Sequence, residues 1–475
     1  MPRYENVDED YLDQRQLKSG AAGWVLLAGL GVAYVISGDF AGWNFGLAEG
    51  GWGGLLIATI LMGLMYTCMA FALAEMSSAM PTSGGGYTFA RRAMGPWGGF
   101  LTGTAILIEY AIAPAAIVVF IGGYVESLDI LGITAGWPVY LFFYAVFIGV
   151  HLIGVGEALK VMFAITAIAV VALVVFVLGM IPEFSASNLT DIDPDTSKSG
   201  ASDFLPFGYA GALSALVYGI WFFLAVEGVP LAAEEARDPK KDMPKGIIVA
   251  ILILLVFAAL MLTLAPGGAG SETIADSDNP LPLAADTAYG ENSFVGEFVN
   301  YAGLAGLIAS FFSIIYAYSR QLFALSRAGY FPRALSVTSG RRVPHIALIL
   351  PGIVGFLLAA ITEDGARMIQ IAVFGATVSY VLMLLSHIIL RRKEPDLARP
   401  YTTPGGTLTS GIGLVLAIAA VIAVFFVDET AALITLAVYL LAALYFGLYS
   451  RHHLVAQAPE EEFAALAQAE SELKA

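Results

Sequence analysis

Charge is what this chain has least of. Only 13% of its 475 residues are Asp, Glu, Lys or Arg, about half the share of a soluble domain. Hydrophobic residues make up 58%, which excludes an ordinary soluble protein and implies a polytopic membrane chain. Cysteine is nearly absent. The single Cys68 excludes an intrachain disulfide and a cysteine metal cluster. The histidines (His151, His345, His387, His452, His453) show no metal-ligand spacing. Gly84-Gly85-Gly86 lacks the strand and βαβ context of a nucleotide loop. No nucleophile–base pair, metal motif or ATP-binding loop is visible, so neither an enzyme nor a primary pump is expected. No cofactor and no nucleic-acid partner are expected either. Residues 1–20 are polar and mostly acidic (Glu5, Asp8, Glu9, Asp10), without the apolar core or cleavage site of a signal peptide.

Long apolar runs are abundant. Windows of about 20 residues mark twelve spans, near 22–48, 52–79, 97–127, 134–154, 159–181, 204–232, 245–266, 295–325, 344–361, 366–391, 409–427 and 430–450. Basic residues sort to one side. Arg91 and Arg92, Lys160, Arg237 with Lys240, Lys241 and Lys245, Arg327 to Arg342, and Arg391 to Arg399 all fall there with both termini. The other side carries Lys198, Arg367 and the acidic loops 183–203 and 271–297. The positive-inside rule makes both termini cytoplasmic, in a multi-pass protein of the cell membrane. The net charge of −16 is then mostly outer loops and tails. The acidic tail from Pro459 (Glu460 to Glu462, Glu470, Glu472) could form a short amphipathic helix.

Against this background one carboxylate stands out. Asp39 sits in Ser37-Gly38-Asp39-Phe40-Ala41-Gly42-Trp43-Asn44, inside the first apolar run. An acid at bilayer depth costs at least roughly 2.5–3.5 kcal/mol on insertion scales and is a functional candidate for that reason. Gly38 and Gly42 permit a helix break beside it. Span 6 reads Tyr218-Gly219-Ile220-Trp221-Phe222-Phe223-Leu224-Ala225-Val226-Glu227-Gly228, again glycines and one acid in an apolar run. The two spans lie five apart, and an odd number of spans inverts the second copy. Paired interrupted helices in two halves point to a midplane binding site. The competing reading is that each acid merely pairs with a hydroxyl or backbone group.

Several segments together resemble the amino acid–polyamine–organocation transporter superfamily. Ala74-Glu75 followed by Pro81-Thr82-Ser83-Gly84-Gly85-Gly86-Tyr87 is similar to that family's Ala-Glu and Pro-x-x-Gly-Gly-x-Tyr. Glu234-Glu235, Asp238-Pro239 and Met243-Pro244-Lys245-Gly246 resemble its span 6–7 signature. Ser319-Arg320, Ser326-Arg327-Ala328-Gly329 and Arg399-Pro400-Tyr401 also fit, so the likeness runs from about residue 20 to 450. It implies an all-α polytopic membrane fold of twelve transmembrane helices. These would form a 5+5 inverted repeat of the leucine-transporter type, with broken helices 1 and 6 and two C-terminal helices added. The divisions would be an N-terminal tail 1–20, a first repeat 21–181, an outer loop 182–203, a second repeat 204–391, helices 11 and 12 in 392–451, and a C-terminal tail 452–475. Gly84 to Gly86 would form a re-entrant turn at an inner gate, which Glu234, Glu235, Arg237, Lys240 and Lys241 could lock through ion pairs.

Departures from the family speak to the substrate. Amino-acid transporters of the superfamily carry Ser-Gly-Asn and then Gly-Ser-Gly, whose amides cradle a carboxylate at a half-helix N-terminus. Here the same places read Ser37-Gly38-Asp39 and Gly42-Trp43-Asn44. Trp43 fills the carboxylate seat, and Asp39 adds a negative charge. Both favour a lone cation. Trp43, Trp221, Phe222 and Phe40 could form an aromatic cage for an ammonium, with plain helix packing as the alternative. Asn44 or Ser37 would meet a substrate hydroxyl, and Tyr110 would face the same cavity. These spans are most similar to the ethanolamine permease branch. The expected function is secondary active import of a small amine, ethanolamine first, by alternating access. An amino acid permease or exchanger and an amine-binding membrane sensor are the alternatives.

The coupling ion is left between proton and sodium. The lysine that proton-coupled relatives place in span 5 is replaced by Ala169, and Lys160 lies too near the span's end to substitute. Sodium would need span 8 hydroxyls such as Ser310, Ser313 and Ser319. Glu227 and Glu109, the latter a third acid within a span, are candidate gate or coupling residues with Ser313.

Overall fold

The computed structural model describes residues 4–5, 22–82, 84–129, 132–290, 293–455 and 458. The rest of the N-terminal tail, Ser83, the side chain of Lys160 and the acidic tail from Pro459, with its expected helix, lie outside the described residues.

The chain folds as an all-helical, multi-pass membrane protein. Ten helices among the described residues are long and apolar enough to cross a bilayer. In chain order the principal elements are α1 Trp24–Val35, α2 Phe45–Ala79, α3 Gly86–Ser127, α4 Trp137–Ile153, α5 Val155–Met180 and α6 Gly208–Glu235. They continue with α7 Pro239–Ala269, α8 Phe294–Arg327, α9 His345–Thr362, α10 Gly365–Lys393, α11 Thr407–Val427 and α12 Glu429–Leu448. The apolar helices α1 and α4, 12 and 17 residues long, are shorter than the other ten.

Where the helices differ from the expected spans, glycine gives the reason. The first run, 22–48, does not continue as one helix. It stops at Val35, makes one short turn over Ser37–Phe40, and its last residues join α2. α2 then bends at Gly51, whose φ is 66°. α3 begins eleven residues earlier than the apolar window, at Gly86, and bends at Gly95 (φ 77°) before Pro96. Arg91 and Arg92 are therefore helical rather than linker. α6 is interrupted too: Leu216–Trp221 and the 3-10 segment Val226–Glu235 flank a non-helical stretch through Ala225, at φ 80°. A non-glycine residue in the left-handed region carries strain and persists only where its surroundings hold it.

Burial follows the same order. α3 packs against both α8 and α10, those two helices pack against the broken segments, and most residues of all three are buried. α11 and α12 turn Leu, Val and Ile side chains outward, among them Val415, Leu441 and Leu448, as a lipid-facing surface does. Lipid supplies no hydrophobic drive between helices, so close packing and internal hydrogen bonds must hold the bundle. One small departure from an all-helical chain is a parallel ladder of Tyr4–Glu5 with Leu454–Val455, which brings the two ends of the chain together.

Candidate functional site

The break in the first span exposes carbonyls at a depth where no solvent can satisfy them. An unmet backbone group in that setting costs several kcal/mol, so side chains must take over. Four do. Ser310 of α8 donates to the Tyr34 carbonyl at 2.7 Å and shares a 2.8 Å bond with the Ser37 hydroxyl. Tyr124 of α3 donates to the Phe40 carbonyl (3.0 Å), and the Trp221 indole of α6 donates to the Ala41 carbonyl (2.9 Å). The Asn44 side-chain oxygen accepts the Gly42 N–H at 3.0 Å. The break is thus a built structure held by α3, α6 and α8.

Two glycines let the broken segments meet. A methyl at Gly38 would lie 2.4 Å from the Trp221 carbonyl oxygen, so the two backbones nearly touch there. Gly42, at φ 94°, lies under the Trp221 ring, and a methyl would lie 2.5 Å from its nitrogen. Asp39, between these two glycines, is fully buried. Neither of its carboxylate oxygens has a hydrogen-bond partner among the described residues. Nearby in sequence, Trp43 stacks on Phe222 with ring centroids 5.4 Å apart and planes 23° from parallel. The Trp43 indole N–H is buried and finds no acceptor among the described residues.

A second buried cluster centres on Glu227. Tyr110 donates to its Oε1 at 2.9 Å, and the Tyr380 hydroxyl of α10 lies 3.3 Å from its Oε2 and 3.4 Å from Glu109 Oε1. Tyr66 of α2 shares a 2.6 Å bond with Tyr380. Glu109 Oε2 has no hydrogen-bond partner among the described residues. No lysine, arginine or histidine bonds either carboxyl group among the described residues. Three tyrosines and two acids from α2, α3, α6 and α10 therefore form one polar island.

Several sequence expectations change here. Asp39 and Glu227 lie in the two interrupted spans, and Glu227 shares the Tyr380 hydroxyl with Glu109. Asn44 does not present its side chain to a cavity. Its amide nitrogen is occupied by the carbonyls of Ile274, Ala275 and Ser277. The Ser37 hydroxyl is taken up by Ser310. The Phe40 ring packs against Gly303 and Gly306 of α8. Trp221 gives its N–H to backbone, and Trp43 and Phe222 form a stacked pair. Ser313 donates to its own helix at Ala309 (2.6 Å), and Ser319 to Tyr316 (2.7 Å), as helix serines commonly do.

Charge pairs close the basic end. Glu235 and Glu234 are paired as expected, but not with Arg237 or the lysines. Their partners are Arg320 (2.8 Å) and Arg327 (3.0 Å) of α8. Lys241 meets Asp238 in an exposed 3.5 Å contact. Glu75, nearly fully buried, is the centre of a larger knot. It accepts from Arg391 at 2.9 and 2.6 Å and from the Thr403 N–H at 2.7 Å, with Arg399 at 3.0 Å and His387 at 3.1 Å. The sequence marked Glu75 and Arg399 separately as parts of two motifs. It gave no sign that they meet, nor that His387 joins them. Tyr66, Tyr124 and Tyr380 were missed as well. Their signal was present but weak: a phenol in mid-span needs a polar partner.

The whole span of the chain compares with known transporters. It is 29% identical over 428 residues to an uncharacterized transporter of Rhizobium meliloti, covering 88% of this chain and 89% of that protein. It is 27% identical over 422 residues to the branched-chain amino acid permease BcaP of Bacillus subtilis, covering 84% and 86%. It is 26% identical over 390 residues to the methylthioribose transporter of the same organism, covering 78% and 79%. The model of the amino acid permease family matches residues 25–463, and with two interrupted helices meeting at a buried acid, the chain belongs to that family of secondary transporters.

Proposed function

We propose that this transporter imports a small ammonium compound across the cell membrane by alternating access, with ethanolamine the first candidate and Asp39 the anchor of its charge. The observation that carries this reading is the Asp39 carboxylate, fully buried with both oxygens unpartnered. Such a group demands a counter-charge or a proton. An ammonium supplies the first, and a neutral carboxyl in the empty state supplies the second. The stacked Trp43–Phe222 pair favours a cation beside it, since a desolvated ammonium over an indole face gains about 2 kcal/mol. Trp43 also occupies the place where a carboxylate would need bare amides. The basic end would be cytoplasmic, and the two five-span units, 21–181 and 204–391, would be the inverted halves that rock around the site.

Coupling would fall to Glu109 and Glu227. Two carboxyl groups are bridged by one tyrosine hydroxyl, with no basic partner among the described residues. One shared proton satisfies both, and its loss to either side would accompany opening. Sodium is the competing ion: Ser313 and Ser319 give their protons to their own helix and keep oxygen lone pairs toward a cation.

A second reading is transport of an amino acid, favoured by the names of relatives such as the branched-chain amino acid permease. The ammonium would still meet Asp39, but the carboxylate would need a seat other than the one Trp43 fills. Uptake of radiolabelled ethanolamine into proteoliposomes, competed with choline, putrescine, alanine, leucine and arginine, separates the two. Best competition by an amino acid would overturn the amine reading. An imposed pH gradient, compared with a sodium gradient, identifies the ion.

A further inference from the structure

The Asn44 side chain has four bonds to explain, and the substrate explains none of them. It lies fully buried just after the first break. Its Nδ2 is 2.7 Å from the Ile274 carbonyl, 2.8 Å from that of Ser277 and 3.1 Å from that of Ala275. Its Oδ1 takes the Gly42 N–H at 3.0 Å. An amide nitrogen has two protons, so three carbonyls share them.

Those three carbonyls belong to one short segment. It connects the helices Ser271–Ile274 and Pro280–Tyr289, in the acidic loop between α7 and α8. Ala275 is buried beneath it, at 6% exposure. The segment is otherwise fastened to its own side of the molecule, where Ser271 donates to the Leu189 carbonyl and the Glu272 N–H to Asp191. Asn44 ties it to the break instead. Trp43, the neighbouring residue, stacks on Phe222 of α6. One dipeptide thus meets α6 with its first residue and fastens the outer loop with its second.

We propose that Asn44 is a latch: it holds residues 274–277 down as a lid over the acidic end of the site, and its release is a step in opening to that side. The proposal rests on alternating access, not on the identity of the substrate. The chemistry is specific. A carboxamide can donate to the lid and accept from Gly42 at once. At neutral pH an aspartate keeps the acceptor for Gly42 but turns carboxylate oxygen toward three carbonyls. Asn44→Asp therefore preserves the bond within the break and cancels the bonds to the lid.

The single native cysteine makes the test simple. In a Cys68→Ala background, Ala275→Cys places a thiol under the lid. Its modification by a hydrophilic maleimide is timed in nanodiscs, where both faces are open to reagent. Loss of two neutral hydrogen bonds sets the scale: Asn44→Asp should raise the modification rate roughly tenfold over the Asn44 parent. Equal rates would overturn the latch. Hydrogen exchange gives a second reading on a chain without the cysteine. Amides of 270–279 should exchange faster in Asn44→Asp, while those of α8 stay unchanged. Faster exchange everywhere would mean general loosening and would also refute a latch. Ethanolamine is added as a separate arm. Fast labelling that ethanolamine fails to slow keeps the latch and counts against the substrate.

Discussion

Asp39→Asn removes one charge and almost no volume. In the empty protein it should be harmless. The Asp39 oxygens accept no hydrogen bond among the described residues, so no native contact there is lost, and an amide has nearly the same size and shape. An ionised acid at this depth would carry a cost of roughly 2.5–3.5 kcal/mol on insertion scales, which the substitution would relieve. Stability of the unliganded variant should therefore equal or exceed that of the parent. Binding should move the other way. Truncating one partner of a desolvated charge pair costs about 2–5 kcal/mol, which is a loss of about 30-fold to several thousand-fold in affinity.

These opposite signs make the experiment decisive. Thermal melting of purified protein is followed with and without ethanolamine. A ligand at about 100 times its Kd adds roughly 2.7 kcal/mol to the bound state, so the parent's transition should rise with ligand and the variant's should not. Uptake in proteoliposomes should fall in parallel. A variant that melts earlier than the parent when empty would show that Asp39 has a structural partner. A variant that melts normally and still transports would refute the anchor.

Other outcomes follow from the same geometry. Glu75→Gln strands Arg391, Arg399 and His387 around a neutral group in a buried knot; breaking such a network costs about 3–5 kcal/mol, and a melting temperature equal to the parent's would contradict it. Glu109→Gln and Glu227→Gln should each abolish accumulation driven by a pH gradient while sparing counterflow exchange, and gradient-driven uptake at parental rates in either variant would count against the shared proton. Asp278, in the lid loop, is pushed up from its ordinary 3.8 to about 6 by burial, with Asp364 adding repulsion. Protonation therefore favours the closed lid, an advantage fully present below about pH 4 and lost as pH rises through about 6, worth at most about 3 kcal/mol. Labelling of Ala275→Cys should accelerate across that window, and Asp278→Asn should flatten the profile.

Much of the architecture was legible because membrane burial writes in a coarse alphabet. Apolar runs of sufficient length gave the long helices, and the Gly-flanked acids marked both interruptions. The site's details were less legible, for one physical reason: a broken helix exposes carbonyls, and sequence does not say which distant side chain will meet each one. Trp221 looked like a cage wall because indole suits cations. Its N–H had prior business with the Ala41 carbonyl. Asn44 looked like a substrate contact because it was polar beside an acid, but three lid carbonyls 230 to 233 residues away had the first claim on it. Phe40 had a notch waiting at Gly303 and Gly306, visible in sequence only as two glycines three apart in another helix.

On the proposed reading, Asp39 and Glu227 would do different work. Glu227 sits among tyrosines and a second acid, with several hydrogen-bonding groups that can follow a proton. Asp39 sits among aromatics and backbone, with none. A group rich in hydroxyl neighbours can change protonation at small structural cost, because each hydroxyl can turn from donor to acceptor. A carboxylate without neighbours has no such adjustment and must wait for its counter-charge to arrive with the ligand. Coupling then requires a link between the two acids, and α6 provides one. Its Trp221 holds the Ala41 carbonyl two residues after Asp39, and its Glu227 lies six residues on, past the strained Ala225. A shift of that non-helical stretch when a proton leaves Glu227 would pull on the break that carries Asp39, so the strain at Ala225 lies on the shortest covalent path between ion and substrate.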